Sequence, residues 1–264
     1  ITALILLTGV VAGVTLLNTR ALSIILGLLA AVAGWEWCKL QKPRASFTHD
    51  LLFVVLMAIC VPVISRYHGV LAWISVISAV WWFWCLWHII FKSDFHSDKF
   101  WNPNALKGIL IIVPASVAIT GMIDSSNSGR WSILACLLII WVTDTGAYVV
   151  GSVFGKRLLA PTISPGKTLE GLGGGLIAAI TFGILLYKVI DDLMAISFIG
   201  WVLLVTVTSV FASIGDLTES AFKRRSGVKD SGRMLPGHGG MLDRIDSATA
   251  AIPVFVGSLV YVFR

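Results

Sequence analysis

The sequence predicts an all-α fold, a polytopic integral membrane helical bundle of about nine transmembrane helices. The chain of 264 residues is 57% hydrophobic and only 13% charged, whereas about a quarter of the residues in soluble domains are charged. Its mean hydropathy is +0.89. Several runs with almost no charge approach the length that a helix needs to cross a bilayer. These runs are continuous rather than alternating, which argues against a transmembrane β-barrel.

The apolar runs predict the spans in order. They cover 1–17, 21–38, 51–65, 69–91, 105–123, 131–150, 171–190, 193–215 and 246–263. The third run is short, which leaves a tilted or partly re-entrant segment open. The first two are separated only by Asn18, Thr19 and Arg20, so they could also form a tight hairpin.

The distribution of basic residues predicts a cytoplasmic N-terminus. With nine spans in this orientation, 15 of the 20 Lys and Arg residues fall on the cytoplasmic side, as the positive-inside rule requires. The remaining five are Arg20, Arg66, Arg130, Lys188 and Arg264. Adding or removing one span would destroy this bias, so the span count and the orientation support each other.

The most polar stretch of the chain runs from Ser220 to Asp246. Its 27 residues include six Lys or Arg, three Asp, one His and five Gly, in otherwise apolar surroundings. Topology signals beside anionic lipid head groups explain basic loops elsewhere, but they do not explain the interleaved Asp, His and Gly. The composition suits a phosphate-rich substrate and a hard cation.

A second polar cluster, Thr143–Tyr148, lies inside the sixth predicted span. A carboxylate such as Asp144 costs about 3 kcal/mol at the centre of a span on insertion scales. We therefore expect Asp144 to face the interior of the bundle, either in a functional site or in a structural contact with a neighbouring helix.

A third cluster, Ser164–Gly171, superficially suggests a phosphate-binding P-loop. The P-loop spacing is absent, and we predict a loop with no β-strand before it. Gly166 and Lys167, followed by a helix start, could still offer N–H groups and an ammonium to an anion. The alternative is a plain loop before a Gly-rich helix, in which Gly171–Gly175 allow close packing.

Acidic residues recur at helical spacing on both sides of the polar stretch. Asp216, Glu219 and Ser220 share one helix face if the eighth helix continues through them. Asp243 and Asp246 have the same spacing at the start of the ninth helix. The two helix ends could together hold a divalent cation, and oxygen ligands favour Mg²⁺; capping of the helix is the alternative.

The turn Pro236–Gly240 allows its backbone to come close to a ligand. His238 in this turn could be a turn residue, a phosphate donor or a general base. We favour a substrate or structural role, because a phosphate monoester is already anionic near neutral pH and needs little proton removal.

Together these motifs resemble the signature of the bacterial phosphatidate cytidylyltransferase (CDP-diacylglycerol synthase) family. The pattern S-x-x-K-R-x4-K-D, then P-G-H-G-G, then D-R-x-D contains Ser220, Lys223, Arg224, Lys229, Asp230, Pro236, Gly237, His238, Gly239, Gly240, Asp243, Arg244 and Asp246. The upstream segments 144–148, 164–168 and 215–220 are also similar to that family. The motif resemblance covers about 140–246 and rests on hydropathy alone before it.

The resemblance implies that CTP and phosphatidic acid give CDP-diacylglycerol and pyrophosphate. It implies dependence on Mg²⁺, with a second cation open, a homodimer, and a multi-pass location in the bacterial inner membrane. We expect the active site to face the cytoplasm, with membrane lipids as further partners and no nucleic acid. The chain then divides into N-terminal transmembrane helices, 1–125, and a C-terminal catalytic region, 126–264, with a cytoplasmic loop at 216–245.

The residues take roles that suit this chemistry. Asp216, Asp243 and Asp246 are predicted metal ligands, and with Lys167 they form the predicted catalytic set. The predicted substrate-binding residues are Asp144, Ser164, Gly166, Ser220, Lys223, Arg224, Lys229, Asp230, His238, Gly239, Gly240 and Arg244. Lys and Arg would contact phosphates, and Arg can do so with two hydrogen bonds.

Three other functions remain open from sequence. A CTP-dependent lipid kinase would need similar residues but would transfer the γ-phosphate. An ion-coupled transporter could also contain an intramembrane Asp144, although it would more naturally place its acids near the bilayer midplane. A structural membrane subunit would leave the acidic, basic and glycine cluster unexplained.

Overall fold

The computed structural model describes residues 2–41, 46–67, 69–91, 98–125, 128–194, 196–232 and 239–262. Within these ranges the chain forms nine α-helices and one two-stranded hairpin. The helices are α1 Thr2–Leu16, α2 Thr19–Leu40, α3 Phe47–Ile64, α4 Val70–Phe91, α5 Ala105–Ser125, α6 Gly129–Phe154, α7 Leu169–Met194, α8 Phe198–Arg225 and α9 Leu242–Tyr261. The strands are β1 Leu158–Ala160 and β2 Ser164–Thr168, and a short 3-10 helix covers Lys99–Trp101.

The predicted all-α membrane fold is confirmed, since each predicted span corresponds to one helix. Among the described residues, seven helices, α2 to α8, are long and apolar enough to cross a membrane. The described part of α1 has 15 residues and α9 has 20, and neither is among the seven. The chain is thus a multi-pass membrane protein, while nine crossings and a cytoplasmic N-terminus stay predictions.

Two details of the sequence prediction are wrong. The eighth span was predicted to begin at 193, but α7 continues to Met194 and α8 begins at Phe198. The cause is Ser197, whose hydroxyl oxygen accepts a hydrogen bond from the N–H of Gly200 and so fixes the start of α8 as an N-cap. The second error is the hairpin β1–β2, which was predicted as a loop.

Helix α9 lies at the centre of the bundle. It packs against α8, α5, α4, α6 and α2, and its middle turns, from Thr249 to Gly257, are buried. Because other helices surround it, α9 does not need the uniformly apolar surface of a lipid-exposed helix. Its first turns can therefore contain acidic residues that face α8 and α6.

The Gly-rich start of α7 packs closely on α6, as the sequence suggested. A Cβ atom at Gly171 would lie 2.8 Å from the carbonyl oxygen of Ala147, and one at Gly175 would lie 2.7 Å from that of Thr143. Gly174 is in equally close contact with the side chain of Val150. Small residues let the two helix backbones approach, which brings the hairpin before α7 next to α6.

The predicted topology can be tested by sided labelling after replacement of the native cysteines. Lys156→Cys and Gly69→Cys place thiols at two exposed positions that the positive-inside pattern assigns to opposite faces. We expect a membrane-impermeant maleimide to label position 156 only from the cytoplasmic side and position 69 only from the other side. Labelling of both positions from one side would show that the span count is wrong.

Candidate active site

A cavity of about 420 Å³ lies between α6, α7, α8, α9 and the hairpin. Six of the predicted site residues line it: Asp144, Gly166, Lys167, Asp216, Asp243 and Asp246. These residues come from four separate places in the sequence, and the fold brings them together. Four carboxylates and one ammonium thus share one cavity.

The close contact of α8 with α9 places Asp216 beside Asp246. A Cβ atom at Gly215 would lie 2.4 Å from the carbonyl oxygen of Asp246, so only glycine permits this approach. Helix α8 continues beyond the predicted end of the span at 215, without a break through Asp216 and Glu219 to Arg225, so the condition for their shared helix face is met. Asp216 lies within electrostatic range of both Asp144 and Asp246.

The hairpin β1–β2 delivers Lys167 to this cavity. Its antiparallel register pairs Leu158 with Thr168, and Lys167 projects so that its Nζ lies 2.5 Å from Oδ2 of Asp216. A carboxylate oxygen of Glu170 accepts hydrogen bonds of 3.0 Å from the N–H groups of Lys156 and Arg157. These bonds tie the beginning of the hairpin to the first turn of α7.

The segment Ser164–Thr168 is a strand that leads directly into a helix, contrary to the predicted loop. The hydroxyl oxygen of Thr168 accepts a hydrogen bond of 3.1 Å from the N–H of Gly171 and so stabilises the start of α7. The preceding strand β1 is antiparallel to β2, whereas a P-loop follows a strand of a βαβ unit. The P-loop interpretation therefore stays excluded, while the helix start beside Gly166 and Lys167 is confirmed.

Lys223 holds two acidic side chains together. Its Nζ lies 2.5 Å from Oδ1 of Asp243 and 3.3 Å from Oε2 of Glu219. The three side chains are nearly enclosed, with exposed fractions of 10% for Lys223, 8% for Asp243 and 3% for Glu219. A buried cation in such a position offsets the charge of nearby carboxylates. The ammonium of Lys223 is therefore already engaged by Asp243 and Glu219 and is not positioned to bind a substrate phosphate.

The second oxygen of Asp243 organises the connection between α8 and α9. Its Oδ2 accepts hydrogen bonds from the N–H of Gly240 at 2.8 Å and from the N–H and hydroxyl of Ser231, each at 3.0 Å. Burial raises the pKa of Asp243, but the bond from Lys223 and these N–H groups outweigh it, so the pKa lies below its ordinary value. Gly239 adopts a φ of 81°, a conformation that glycine readily allows.

Asp144 and Asp246 meet at Ser247. The hydroxyl of Ser247 donates to Oδ1 of Asp144 at 3.4 Å, and its N–H donates to Oδ1 of Asp246 at 2.7 Å. Asp144 therefore faces the shared cavity, where it is exposed rather than enclosed in the interior of the bundle as predicted. Neither Asp243 nor Asp246 provides the N-cap of α9, because the cap residue is Met241 and has no side-chain cap bond.

The residues lining the cavity suit a magnesium ion in their chemistry. Across the described ranges, no three His, Cys, Asp or Glu side chains are grouped closely enough to hold a metal by themselves. Mg²⁺ does not require such a group, because it is commonly bound by one or two carboxylates together with water and substrate phosphates. Asp216 fits this pattern best, since both oxygens of Asp243 already have partners. Asp246 is the second candidate, with bonds to the N–H of Ser247 and to the side chain of Glu219.

Several predicted substrate-binding residues do not line the cavity. Arg224 donates to the carbonyl oxygens of Ile163 at 3.2 Å and Val228 at 3.1 Å, so it fastens the hairpin turn to the end of α8. The other described residues of this set that lie outside the lining are Ser164, Ser220, Lys223, Lys229, Asp230, Gly239, Gly240 and Arg244. His238 lies outside the described residues, as do Pro236 and Gly237.

Sequence reasoning missed three polar residues around the site: Glu36, Ser231 and Ser247. Glu36 lies within an apolar helix between two tryptophans, which is the same signal that singled out Asp144. Ser231 and Ser247 are short polar residues next to predicted site residues. Nothing in the spacing of these serines distinguishes them from ordinary loop or helix residues.

Nearly the whole chain is similar to known cytidylyltransferases. The model of the cytidylyltransferase family matches residues 1–262. A protein of Haemophilus influenzae named phosphatidate cytidylyltransferase is 33% identical, with 97% of this chain and 95% of the relative covered. A protein of the same name from Pseudomonas aeruginosa is 36% identical over 98% and 95%, and one from Staphylococcus epidermidis is 47% identical over half of each chain. The likeness thus extends over the N-terminal helices, where the motifs gave no information.

Lys223 and Lys229 were both predicted to bind phosphate, and the structure separates them. We expect Lys223→Gln to lower the free energy of unfolding by about 3 kcal/mol or more, because it leaves buried Asp243 and Glu219 without their cation. Lys229 is exposed, so Lys229→Gln should change stability by no more than about 0.5 kcal/mol. Thermal unfolding of both variants in the same detergent measures the difference. Equal melting temperatures would contradict the structural role of Lys223.

Proposed function

The chain belongs to the cytidylyltransferase family, and we propose on this basis that it transfers CMP from CTP to phosphatidic acid, giving CDP-diacylglycerol and pyrophosphate. The observation that carries the proposal is the cavity in which Asp144, Asp216, Asp243 and Asp246 face Lys167. Both substrates are polyanions, and a cavity with more carboxylates than ammonium groups repels them. Divalent cations between the carboxylates and the phosphates remove this conflict, which supports the proposed dependence on Mg²⁺.

In the proposed reaction an oxygen of the lipid phosphate attacks the α-phosphorus of CTP. The bond between that phosphorus and the bridging oxygen breaks, and its electron pair leaves with pyrophosphate. No general base is required, because the second pKa of a phosphate monoester is about 6 and the attacking oxygen is anionic near neutral pH. The contribution of the protein is positioning and charge neutralisation.

The carboxylates of Asp216 and Asp246 are the proposed metal ligands, with Asp144 beside them. When bound, Mg²⁺ supplies Lewis-acid neutralisation of the phosphate oxygens and of the leaving pyrophosphate. The ammonium of Lys167 is paired with Asp216. If a metal ion neutralised Asp216, this ammonium could bind a substrate phosphate instead. The metal role of Asp243 and the presence of a second cation stay predictions.

The lipid substrate requires an apolar route to the cavity. Tyr148 and Leu172 line the cavity on its α6 and α7 sides, and the side chain of Tyr148 is 76% exposed. In a membrane this exposed side contacts acyl chains, so phosphatidic acid can place its phosphate in the cavity while its tails remain in lipid. We place the cavity at the cytoplasmic face of a bacterial inner membrane and propose a homodimer, as the resemblance implies.

Isotope tracing tests the reaction and distinguishes it from the lipid kinase alternative. Purified protein is incubated with phosphatidic acid, Mg²⁺ and CTP labelled either in the cytidine or in the γ-phosphate. We expect cytidine label in the extracted lipid and γ-label in released pyrophosphate, with loss of activity after chelation by EDTA and recovery on addition of Mg²⁺. Transfer of γ-label to the lipid would identify a kinase instead, and transfer of neither label would contradict both.

Asp216 provides the sharpest test of the proposed site. Asp216→Asn keeps the size of the side chain but removes the charge that attracts a hard cation, and we expect kcat to fall about 100-fold or more. Asp124→Asn, an exposed acid in the last turn of α5, is the matched control and should keep normal turnover. The rates are compared at saturating CTP in variants that elute as monodisperse protein. A normal rate in Asp216→Asn would remove Asp216 from the active site.

A further inference from the structure

Glu36 is a buried acid that the site described above does not include. It lies in the last turns of α2, its exposed fraction is only 3%, and its neighbours in sequence are Trp35 and Trp37. A carboxylate removed from water is costly unless donors surround it. Its described donors all belong to residues on either side of the 233–238 segment, far away in the sequence.

The first partner of Glu36 is the N-terminus of α9. The N–H of Met241 donates to Oε1 at 3.0 Å, and the N–H of Leu242 donates to Oε2 at 2.8 Å. The first N–H groups of a helix lack partners within the helix and carry a partial positive charge. Since Met241 gives α9 no side-chain cap, the carboxylate of Glu36 takes the place of a local capping residue.

The second partner lies on the other side of the 233–238 segment. The hydroxyl of Ser231 lies 3.1 Å from Oε2 of Glu36 and 3.0 Å from Oδ2 of Asp243. Its single hydrogen is thus placed between a carboxylate of α2 and a carboxylate of the cavity. Glu36 thereby contacts residues on both sides of this segment, and one of them, Ser231, also bonds to Asp243.

Two glycines make room for this carboxylate. A Cβ atom at Gly232 would lie 2.3 Å from Oε1 of Glu36, and one at Gly240 would lie 2.5 Å from Oε2. Both distances are far below van der Waals contact, so the backbone is packed directly against the carboxylate. A side chain at either glycine would therefore displace the carboxylate of Glu36.

From this geometry we infer that Glu36 is a positioning residue for the proposed transfer. It fixes the first turn of α9 and the Ser231 side of the connection relative to one another. Asp243, which bonds to Ser231 and Gly240, and Asp246, one turn further along α9, are held in place as a consequence. A residue from the N-terminal helices thus sets the geometry of an active site built from the second half of the chain.

Steady-state kinetics test this inference, which rests on the proposed function. We expect Glu36→Gln to lower kcat about 100-fold, because small displacements of catalytic groups have effects of this size, while KM for CTP changes less than about threefold. Glu36→Asp keeps the charge on a shorter side chain and should recover part of the loss. The matched control is Asp50→Asn, which alters another buried acid, in α3, that is not among the described partners of Ser231 or α9. Similar kcat values for Glu36→Gln and Asp50→Asn would overturn the inference.

A double variant separates positioning from a general loss of stability. Gly232→Ala should push Glu36 away and lower kcat, whereas adding Gly232→Ala to Glu36→Ala should cause little further loss, because the clashing group is already gone. Additive effects would show that the two residues act independently and would contradict the proposal. If Glu36→Gln does not fold, Gly232→Ala still tests the inference. An unchanged kcat in Gly232→Ala would overturn the positioning role of Glu36.

Hydrogen exchange gives a readout that does not depend on the substrate. In Glu36→Gln the amides of Met241 and Leu242 should exchange faster than in the wild type, while those in the middle of α8 remain protected. Unchanged protection of the first turn of α9 would show that Glu36 does not hold it. If the wild type transfers no CMP, this measurement still decides the role of Glu36 while the proposed function fails.

Discussion

The proposed active site depends on the neutralisation of acids where α8 meets α9. Gly215 lets the two helices come so close that little space is left beside Asp246, and carboxylates of both helices therefore face each other across a narrow gap. Repulsion between them is costly in such an environment. Lys223 offsets it by lying between Asp243 and Glu219. If this cation were absent, Asp243 and Glu219 could not both remain charged so close together.

The remaining positive charge comes from segments outside the α8–α9 pair. The hairpin β1–β2 supplies Lys167 to Asp216, and Arg224 fixes the hairpin turn through the carbonyl of Ile163. The N-terminus of α9 supplies a partial charge to Glu36. Asp216, Asp243 and Glu36 are thus each matched by a cation or by oriented N–H groups.

Part of this structure follows from sequence because the relevant signals are local. Apolar runs locate the helices, since hydropathy is a property of consecutive residues. The spacing of Asp216 with Glu219 and of Asp243 with Asp246 gives the shared faces, since both pairs lie on regular helix. The hairpin was not predicted because Ser-Pro-Gly-Lys-Thr has the composition of a turn and little strand propensity.

The roles of individual basic residues depend on tertiary contacts that spacing does not encode. Lys223, Arg224 and Lys229 lie within seven positions of one another, yet one binds acids, one binds carbonyl groups and one is exposed. Glu36 carried the same signal as Asp144, an acid in an apolar helix, but its partners are more than 190 positions away in the sequence. Such partners become visible only when the helices are packed together.

The contacts around Glu36 connect the N-terminal helices to the C-terminal region that contains the proposed site. The division at 125 follows the motifs, but the end of α2 is joined to the end of α8 by several interactions. The ring of Trp37 packs edge-on against Phe222, with centroids 4.9 Å apart, and the hydroxyl of Ser226 donates to the carbonyl of Leu40 at 2.7 Å. These contacts hold α2 where its carboxylate can reach α9. The N-terminal helices therefore do more than anchor the protein in lipid, because the first turn of α9, and with it the geometry of Asp243 and Asp246, rests against them.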